Sequence, residues 1–286
     1  MPSSRLSPEG RRDLPGGHHE SRNLSAFSKI CRLIIGGTVW GSSGRQETRA
    51  STKPRHTRAA LTANDRAVLF DFGGTLDADG LPWKERVYRL FRDEEAVVAR
   101  ERFDPAFYAA DDALVGTLPA TTSFQETVER LIMGVAVRLE LSDRAIGPRV
   151  AHRFLADSLE ALAANTPLLR RMGQRYRLGI VSNFYGNLAR VCDDAGIRSL
   201  FSVLVDSAEV GCTKPAPRIF QHALDALGVS AARTTFVGDS LPRDMAGARG
   251  VGMRHIWLVG AEPSSASPCC RDDRQIRSLR ELEAIL

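Results

Sequence analysis

The apolar positions of this chain follow two patterns in turn. Short apolar runs end abruptly in polar or glycine-rich turns and read as buried strands. They are Val68-Leu69-Phe70 before Asp71, Leu178-Gly-Ile-Val before Ser182, Phe201 to Val205, Thr234 to Gly238, and Arg254 to Val259. Between them the spacing becomes helical. Trp83, Val87, Leu90 and Phe91 share one face. Asp104-Pro105 reads as a helix cap followed by a first-turn proline. Ser123 with Glu126 reads as a capping box that opens a long helix through Leu141. Val150, Phe154, Leu155, Leu159 and Leu162 mark another helix, and Thr166-Pro167 is expected to start a new one. Pro217 to Leu227 is a helix stopped by Gly228, and Ser278 to Leu286 is expected to be a closing helix.

Strands alternating with helices predict an α/β fold, a Rossmann-like doubly wound parallel sheet. About eighty helical residues follow the first strand without a further strand, which predicts an inserted all-α unit. The expected organisation is a catalytic core of residues 65–82 and 166–286, a helical cap domain of 83–165, and a leader of 1–64. The leader is rich in Ser, Arg, Gly, Pro and His and lacks periodicity, so it is expected to be disordered.

Composition narrows the function. Apolar residues make up 43% and charged residues 26%, the proportions of a soluble globular protein. No run reaches the roughly 20 apolar residues of a membrane span. The formal net charge of +5 is concentrated at one end. Residues 1–60 hold eleven Lys/Arg against four Asp/Glu, and the remainder holds 28 against 30. The body therefore carries no basic footprint for nucleic acid. The five cysteines form no framework spacing, which fits a reduced cytoplasmic protein.

Polar residues collect where the expected strands end. Asp71 is followed by Gly73, Gly74 and Thr75; Ser182-Asn183 closes the second strand; Lys214 lies in a Pro-rich turn; and Asp239 of Gly238-Asp239-Ser240 precedes Asp244 by five residues. In open α/β sheets, ligands sit outside the carboxyl ends of the strands. Carboxylates, an ammonium and a hydroxyl converging there are costly unless they serve a charged ligand. Carboxylates favour a hard cation such as Mg²⁺, while lysine and hydroxyl favour phosphate. Lys214 is one of four lysines in an arginine-dominated chain, as suits a compact point charge. Taken singly, Ser182 or Asp244 would be a helix cap and Lys214 a solvated loop lysine. His152, His222 and His255 read as packing or surface residues.

These four clusters, in this order, resemble the haloacid dehalogenase-like hydrolase superfamily, and its phosphatase side, over about residues 66–286. The segment Val237 to Gly252 is close to a family signature. The resemblance implies that Asp71 is the nucleophile and forms an aspartyl-phosphate. It implies that Asp71, the Gly73 carbonyl, Asp239 and Asp244 hold Mg²⁺. Thr75, Ser182 and Asn183 would hold the phosphate together with Lys214. The substrate would be a small phosphorylated metabolite, and the inserted helices would close over the site.

One position departs from that pattern. Family phosphatases carry a second acid two residues after the nucleophile, and this chain has Gly73. A positioned acid/base contributes typically about 10²–10⁴-fold. Its absence leaves four readings open: a substrate with a good leaving group, an acid recruited from elsewhere such as Asp77 or Asp79, cleavage of a carbon–phosphorus or carbon–halogen bond, or a binding protein. Lys84 is the one lysine placed to form a Schiff base with a phosphonate substrate. Trp83, Lys84 and Tyr88 are candidate pocket residues, with helix packing or a solvated face as the alternative role.

Overall fold

The computed structural model describes residues 65–96, 98–260 and 274–286. The expected leader, and the cysteines Cys31, Cys269 and Cys270, lie outside the described residues.

Among the described residues, six strands form one parallel sheet: β1 (Ala67–Phe70), β2 (Arg177–Ser182), β3 (Val203–Asp206), β4 (Thr234–Gly238), β5 (Arg254–Leu258) and β6 (Arg274–Ile276). Their order is β3-β2-β1-β4-β5-β6. Every residue of β1 is buried, which is why its sequence is continuously apolar. Its alternate side chains serve two cores. Val68 and Phe70 join the larger apolar cluster, and Ala67 and Leu69 join a second one with Phe220 and Phe236. Leu69 pairs with Gly179 on β2 and with Phe236 on β4. A Cβ on Gly179 would lie 2.7 Å from Leu69 Cδ2 and 2.5 Å from Val203 Cγ1, so glycine is what lets three strands meet there.

The connection from β1 to β2 holds four helices: α1 (Trp83–Asp93), α2 (Arg100–Leu114), α3 (Phe124–Arg138) and α4 (Ile146–Gly173). Their apolar faces join the same cluster as Val68 and Phe70. Ser123 caps α3, accepting from Glu126 N. Among the described residues, five more α-helices follow: α5 (Leu188–Asp194), α6 (Ser207–Val210), α7 (Pro217–Leu227), α8 (Ala246–Gly250) and α9 (Leu282–Ile285). Gly228 ends α7 in the left-handed conformation.

Three expectations about element ends need correction. Asp104-Pro105 does not begin a helix, because α2 starts at Arg100 and Pro105 lies in its second turn. Asp104 instead accepts from Lys84 Nζ at 2.9 Å and pairs with Arg100 Nε. Thr166-Pro167 does not begin a helix either, because α4 runs unbroken from Ile146 to Gly173. Packing overrides the proline there: Leu162, Leu168 and Leu169 are buried, and Asn165 Nδ2 donates to Leu76 O. The expected boundary at residue 165 thus falls inside a helix. The closing helix is a single 3₁₀ turn, Leu279–Glu281, followed by α9, and it is preceded by the unpredicted edge strand β6.

The strand order reverses between β1 and β4. The chain leaves β1 for β2 and β3 on one side, then returns to β4, β5 and β6 on the other. That switch point opens a crevice at the carboxyl ends of β1 and β4. Asp71 N donates to Val237 O there, which fixes the first residue past β1 against the end of β4.

Candidate active site

Asp71 follows β1 and Asp239 follows β4, so adjacent parallel strands deliver both to the switch point. Ser182 is the last residue of β2, on the other side of β1. Lys214 comes from the loop before α7, and Asp244 from the turn Leu241–Met245 after β4. One oxygen of Asp71 gathers three donors. Its Oδ1 accepts from Phe72 N at 2.7 Å and from Ser182 Oγ at 2.8 Å, and lies 2.7 Å from Lys214 Nζ. No described hydrogen bond reaches Oδ2.

The Lys214 ammonium also lies 2.7 Å from Asp244 Oδ1, so it bridges two carboxylates. Burial alone would lower its pKa; the charges of Asp244 and Asp71 outweigh that and hold it above the ordinary lysine value. Lys214 is 3% exposed, which removes the solvated-lysine reading. Asn183 fixes the lysine loop from both sides, since Lys214 N donates to its Oδ1 at 2.7 Å and its Nδ2 donates to Lys214 O at 3.2 Å. Asp244 Oδ2 accepts from Ser240 N at 3.0 Å, so the same side chain holds its own turn and faces Lys214.

Carboxylate oxygens of Asp71, Asp239 and Asp244 all lie within 4.8 Å of one another. Three acids so close need a cation between them or a shared proton. Asp239 shows the need most directly. Its Oδ1 accepts from Thr75 Oγ1 at 3.2 Å, while its buried Oδ2 has no hydrogen-bond partner. Burial first, then the charges of Asp71 and Asp244, push its carboxyl well above the usual range. The Asp239 carbonyl accepts from Trp257 Nε1 at 2.9 Å, which anchors the residue on β5. An all-oxygen donor set with an orphaned buried oxygen fits Mg²⁺. Gly74 completes the cradle: its φ is +89°, and a Cβ would lie 2.6 Å from Asp239 Oδ2.

Thr75 stands apart from its expected role. It is fully buried, and its hydroxyl supports Asp239 rather than lining the cavity. Asp77 and Asp79, the acids considered as replacements, are committed elsewhere. Asp77 Oδ1 accepts from Gly74 N, and its Oδ2 accepts from Trp83 Nε1 at 2.7 Å, Arg86 Nη1 at 2.9 Å and Ser158 Oγ at 3.2 Å. Asp79 accepts from Ser278 Oγ and Leu279 N.

A cavity of about 450 Å³ opens beside Asp71, Ser182 and Lys214. Of the candidate pocket residues, Trp83 and Lys84 line it and Tyr88 does not. Asp111 and Tyr185 also line it, with Arg243, and none of the three was expected. Asp111 lies on α2, more than seventy residues from Tyr185 in sequence, so only folding brings them together. Lys84 is held charged. Burial would lower its pKa, but its bonds to Asp104 and Tyr108 raise it. A Schiff-base lysine needs the opposite shift.

Comparison with known proteins agrees with this geometry. A family model for haloacid dehalogenase-like hydrolases matches residues 66–252. Mouse N-acylneuraminate-9-phosphatase is 31% identical over 246 residues, covering 77% of this chain and 93% of that protein. The bovine haloacid dehalogenase-like hydrolase domain-containing protein 3 is 38% identical over 105 residues, and the phosphoserine phosphatase of Thermus thermophilus is 40% identical over 91. These two matches span less than half of either relative, 41% and 35% of their lengths, and 37% and 31% of this chain. In overall structure the chain is similar to a dehalogenase solved as an intermediate complex, with a TM-score of 0.55 at 20% identity, covering 79% of this chain and 99% of that one. The site is therefore that of a hydrolase fold with a doubly wound sheet. The chain belongs to the haloacid dehalogenase-like hydrolase family.

Proposed function

We propose that the protein is a Mg²⁺-dependent phosphatase of a small phosphorylated metabolite and that it works through Asp71. The observation that carries this reading is the convergence of Ser182 Oγ and Lys214 Nζ on Asp71 Oδ1, beside the orphaned Oδ2 of Asp239. The relatives named as phosphatases point the same way.

Donors on Oδ1 orient the Asp71 carboxylate and leave Oδ2 to attack phosphorus in line with the leaving group. That forms an aspartyl-phosphate, which water then cleaves. Lys214 offsets the charge gathered on the phosphoryl oxygens, and main-chain amides after Asp71 bind them together with the Ser182 hydroxyl, once its single proton turns from Asp71 Oδ1 to the phosphoryl group. Asp71, Asp239 and Asp244, with the Gly73 carbonyl, would hold Mg²⁺, which neutralises phosphoryl charge when bound. Thr75 orients Asp239 within that set. Helices α1 and α2 wall the cavity and would act, with the other inserted helices, as a cap that selects the substrate.

A halide leaving group needs no cation and gives no reason to pack three carboxylates together, so the dehalogenase reading is the weaker one. The Asp104 hydrogen bond to Lys84 and the Tyr108 ring beside it weigh against the phosphonate reading. The test is turnover of aryl and acyl phosphates with Mg²⁺ by the full chain and by Asp71→Asn. The variant should lose at least about 10³-fold, the scale on which loss of a nucleophile acts. Activity that survives the substitution, or that never appears, would remove the phosphatase reading.

A further inference from the structure

The reaction drawn above lacks a proton donor for the leaving oxygen. Gly73 supplies none, and Asp77 and Asp79 are tied to Arg86, Trp83, Ser278 and Leu279. Among the described residues, three carboxyl groups line the cavity: Asp71, Glu85 and Asp111. Asp71 is paired with Lys214, and Glu85 with Arg100 and Lys84. Asp111 has no Lys or Arg ion pair among the described residues, and its one hydrogen bond comes from the Tyr185 hydroxyl to its Oδ1 at 2.5 Å.

We propose that Asp111, oriented by Tyr185, is the acid/base that replaces the absent carboxyl at position 73. This rests on the phosphatase reading of Asp71. The Tyr185 bond engages Oδ1 and leaves Oδ2 to carry the transferable proton. Burial pushes the Asp111 carboxyl up from its ordinary value, against the pull of the Tyr185 bond. The neighbouring charges oppose each other: Asp112 raises it and Arg243 lowers it. Tyr185 is itself held protonated by burial, then by Asp111, Asp112 and Asp206, so it stays a donor throughout. Its ring packs against Phe184 and Trp83, with centroids 4.9 and 6.5 Å away, and Gly116 N donates to its carbonyl just past α2. The pair therefore joins helix α2 to the loop that follows Ser182 and carries Asn183.

In the first step Asp71 Oδ2 bonds to phosphorus as the ester P–O bond breaks. The leaving oxygen takes that electron pair and the Asp111 proton. In the second step water bonds to phosphorus and passes a proton to the Asp111 carboxylate. The Asp71–phosphorus bond breaks, and phosphate leaves with both acids restored. Proton donation matters most where the leaving alcohol is a poor one.

The experiment compares kcat/KM for p-nitrophenyl phosphate and for a series of alkyl phosphates in the wild type, Asp111→Asn and Tyr185→Phe. A thermal melt checks folding. Asp111→Asn should lose about 10²–10⁴-fold on alkyl phosphates and less than about 10-fold on the aryl ester. Tyr185→Phe should keep alkyl activity at a reduced kcat, with the alkaline limb of its kcat/KM profile, where Asp111 loses the proton it donates, displaced upward. Equal losses on both substrate types, no loss, or a wild type that turns over only the aryl ester would overturn the role of Asp111. In each of those cases aryl turnover that still depends on Asp71 leaves the phosphatase reading standing. Absence of all Asp71-dependent turnover would take both down.

Discussion

The indole of Trp83 occupies the space that a side chain on Gly73 would enter. A Cβ built on Gly73 lies 3.1 Å from Trp83 Nε1 and 3.3 Å from Cδ1 and Cε2. The glycine backbone itself imposes nothing, since its φ of −76° and ψ of 118° suit any residue. The indole cannot easily retreat. Its Nε1–H donates to Asp77, and its ring packs against Phe124, Phe154, Phe184 and Tyr185. The departure from the phosphatase pattern is therefore built in by a second residue.

Restoring the acid should for that reason fail as a single step. Gly73→Asp is expected to cost about 1–3 kcal/mol by overpacking. It should raise alkyl phosphate turnover little, because the new carboxyl enters already crowded space. Urea unfolding and alkyl phosphate kinetics on the variant check both halves. An unchanged midpoint together with a gain of 10²-fold, within the usual range for a placed acid, would show that Trp83 yields readily.

Asp239 should report the cation directly. In the metal-free protein its carboxyl is raised by burial and by two like charges, so the folded state holds a proton that the unfolded chain releases. Stability then falls as pH rises above the ordinary carboxylate range. Asp239→Asn removes that penalty. The metal-free variant is expected to melt above the metal-free wild type at neutral pH, with the difference closing near pH 4. Mg²⁺ at 100 times its Kd should add about 2.7 kcal/mol to the wild type, roughly 5–10 °C, and nothing to the variant. Equal Mg²⁺ shifts in both proteins would place the cation elsewhere.

The residues now gathered at the switch point were legible because each ends a strand. Local pattern shows that Asp71, Ser182 and Asp239 follow apolar runs, and strand ends in a parallel sheet share one edge. Asp244 was legible from its spacing to Asp239, and Lys214 from its place in the ordered set of clusters and its rarity among arginines. Thr75 stood out by its position four residues past Asp71, while the bond from its hydroxyl to Asp239 shows only in the fold. Asp111, Tyr185 and Arg243 carried no signal, because the cavity they line is made by helices whose mutual angle no periodicity encodes. Pro105 and Pro167 misled for a related reason. A proline marks a helix start only when nothing else holds the turn before it, and Phe103 and Leu162, both fully buried, hold those turns here.

The joint between the first helix and the sheet depends on a buried ion pair. Arg86 Nη1 lies 2.9 Å from Asp77 Oδ2, with side chains 7% and 0% exposed. Arg86 Nη2 reaches on to Ser158 Oγ and Phe154 O on α4. Arg86→Met leaves the Asp77 charge buried with only neutral donors, which should cost about 3–5 kcal/mol in chemical unfolding. Replacing both residues by apolar ones should not restore that loss, because Gly74 N and Trp83 Nε1 would lose their acceptor. A double variant as stable as the wild type would show that the pair is dispensable.

Cys192 sets a limit to stability at high pH. It is fully buried on α5, and burial, with a smaller contribution from Asp193 against Arg198, pushes its thiol up to about 12. The unfolded thiol ionises near 8.5. Between those values the unfolded chain loses a proton that the folded state keeps, so folding is progressively disfavoured as pH rises. The contribution approaches about 1.4 kcal/mol per pH unit inside that window and vanishes below it. Cys192→Ala should lower stability at pH 7 through the small cavity it leaves, yet show a shallower decline from pH 9 to 11 than the wild type. Denaturant midpoints taken across that range separate the two effects. Parallel curves would mean that the folded thiol ionises as freely as the unfolded one. The same burial should protect Cys192 from iodoacetamide at pH 8, since the thiolate is the reactive form.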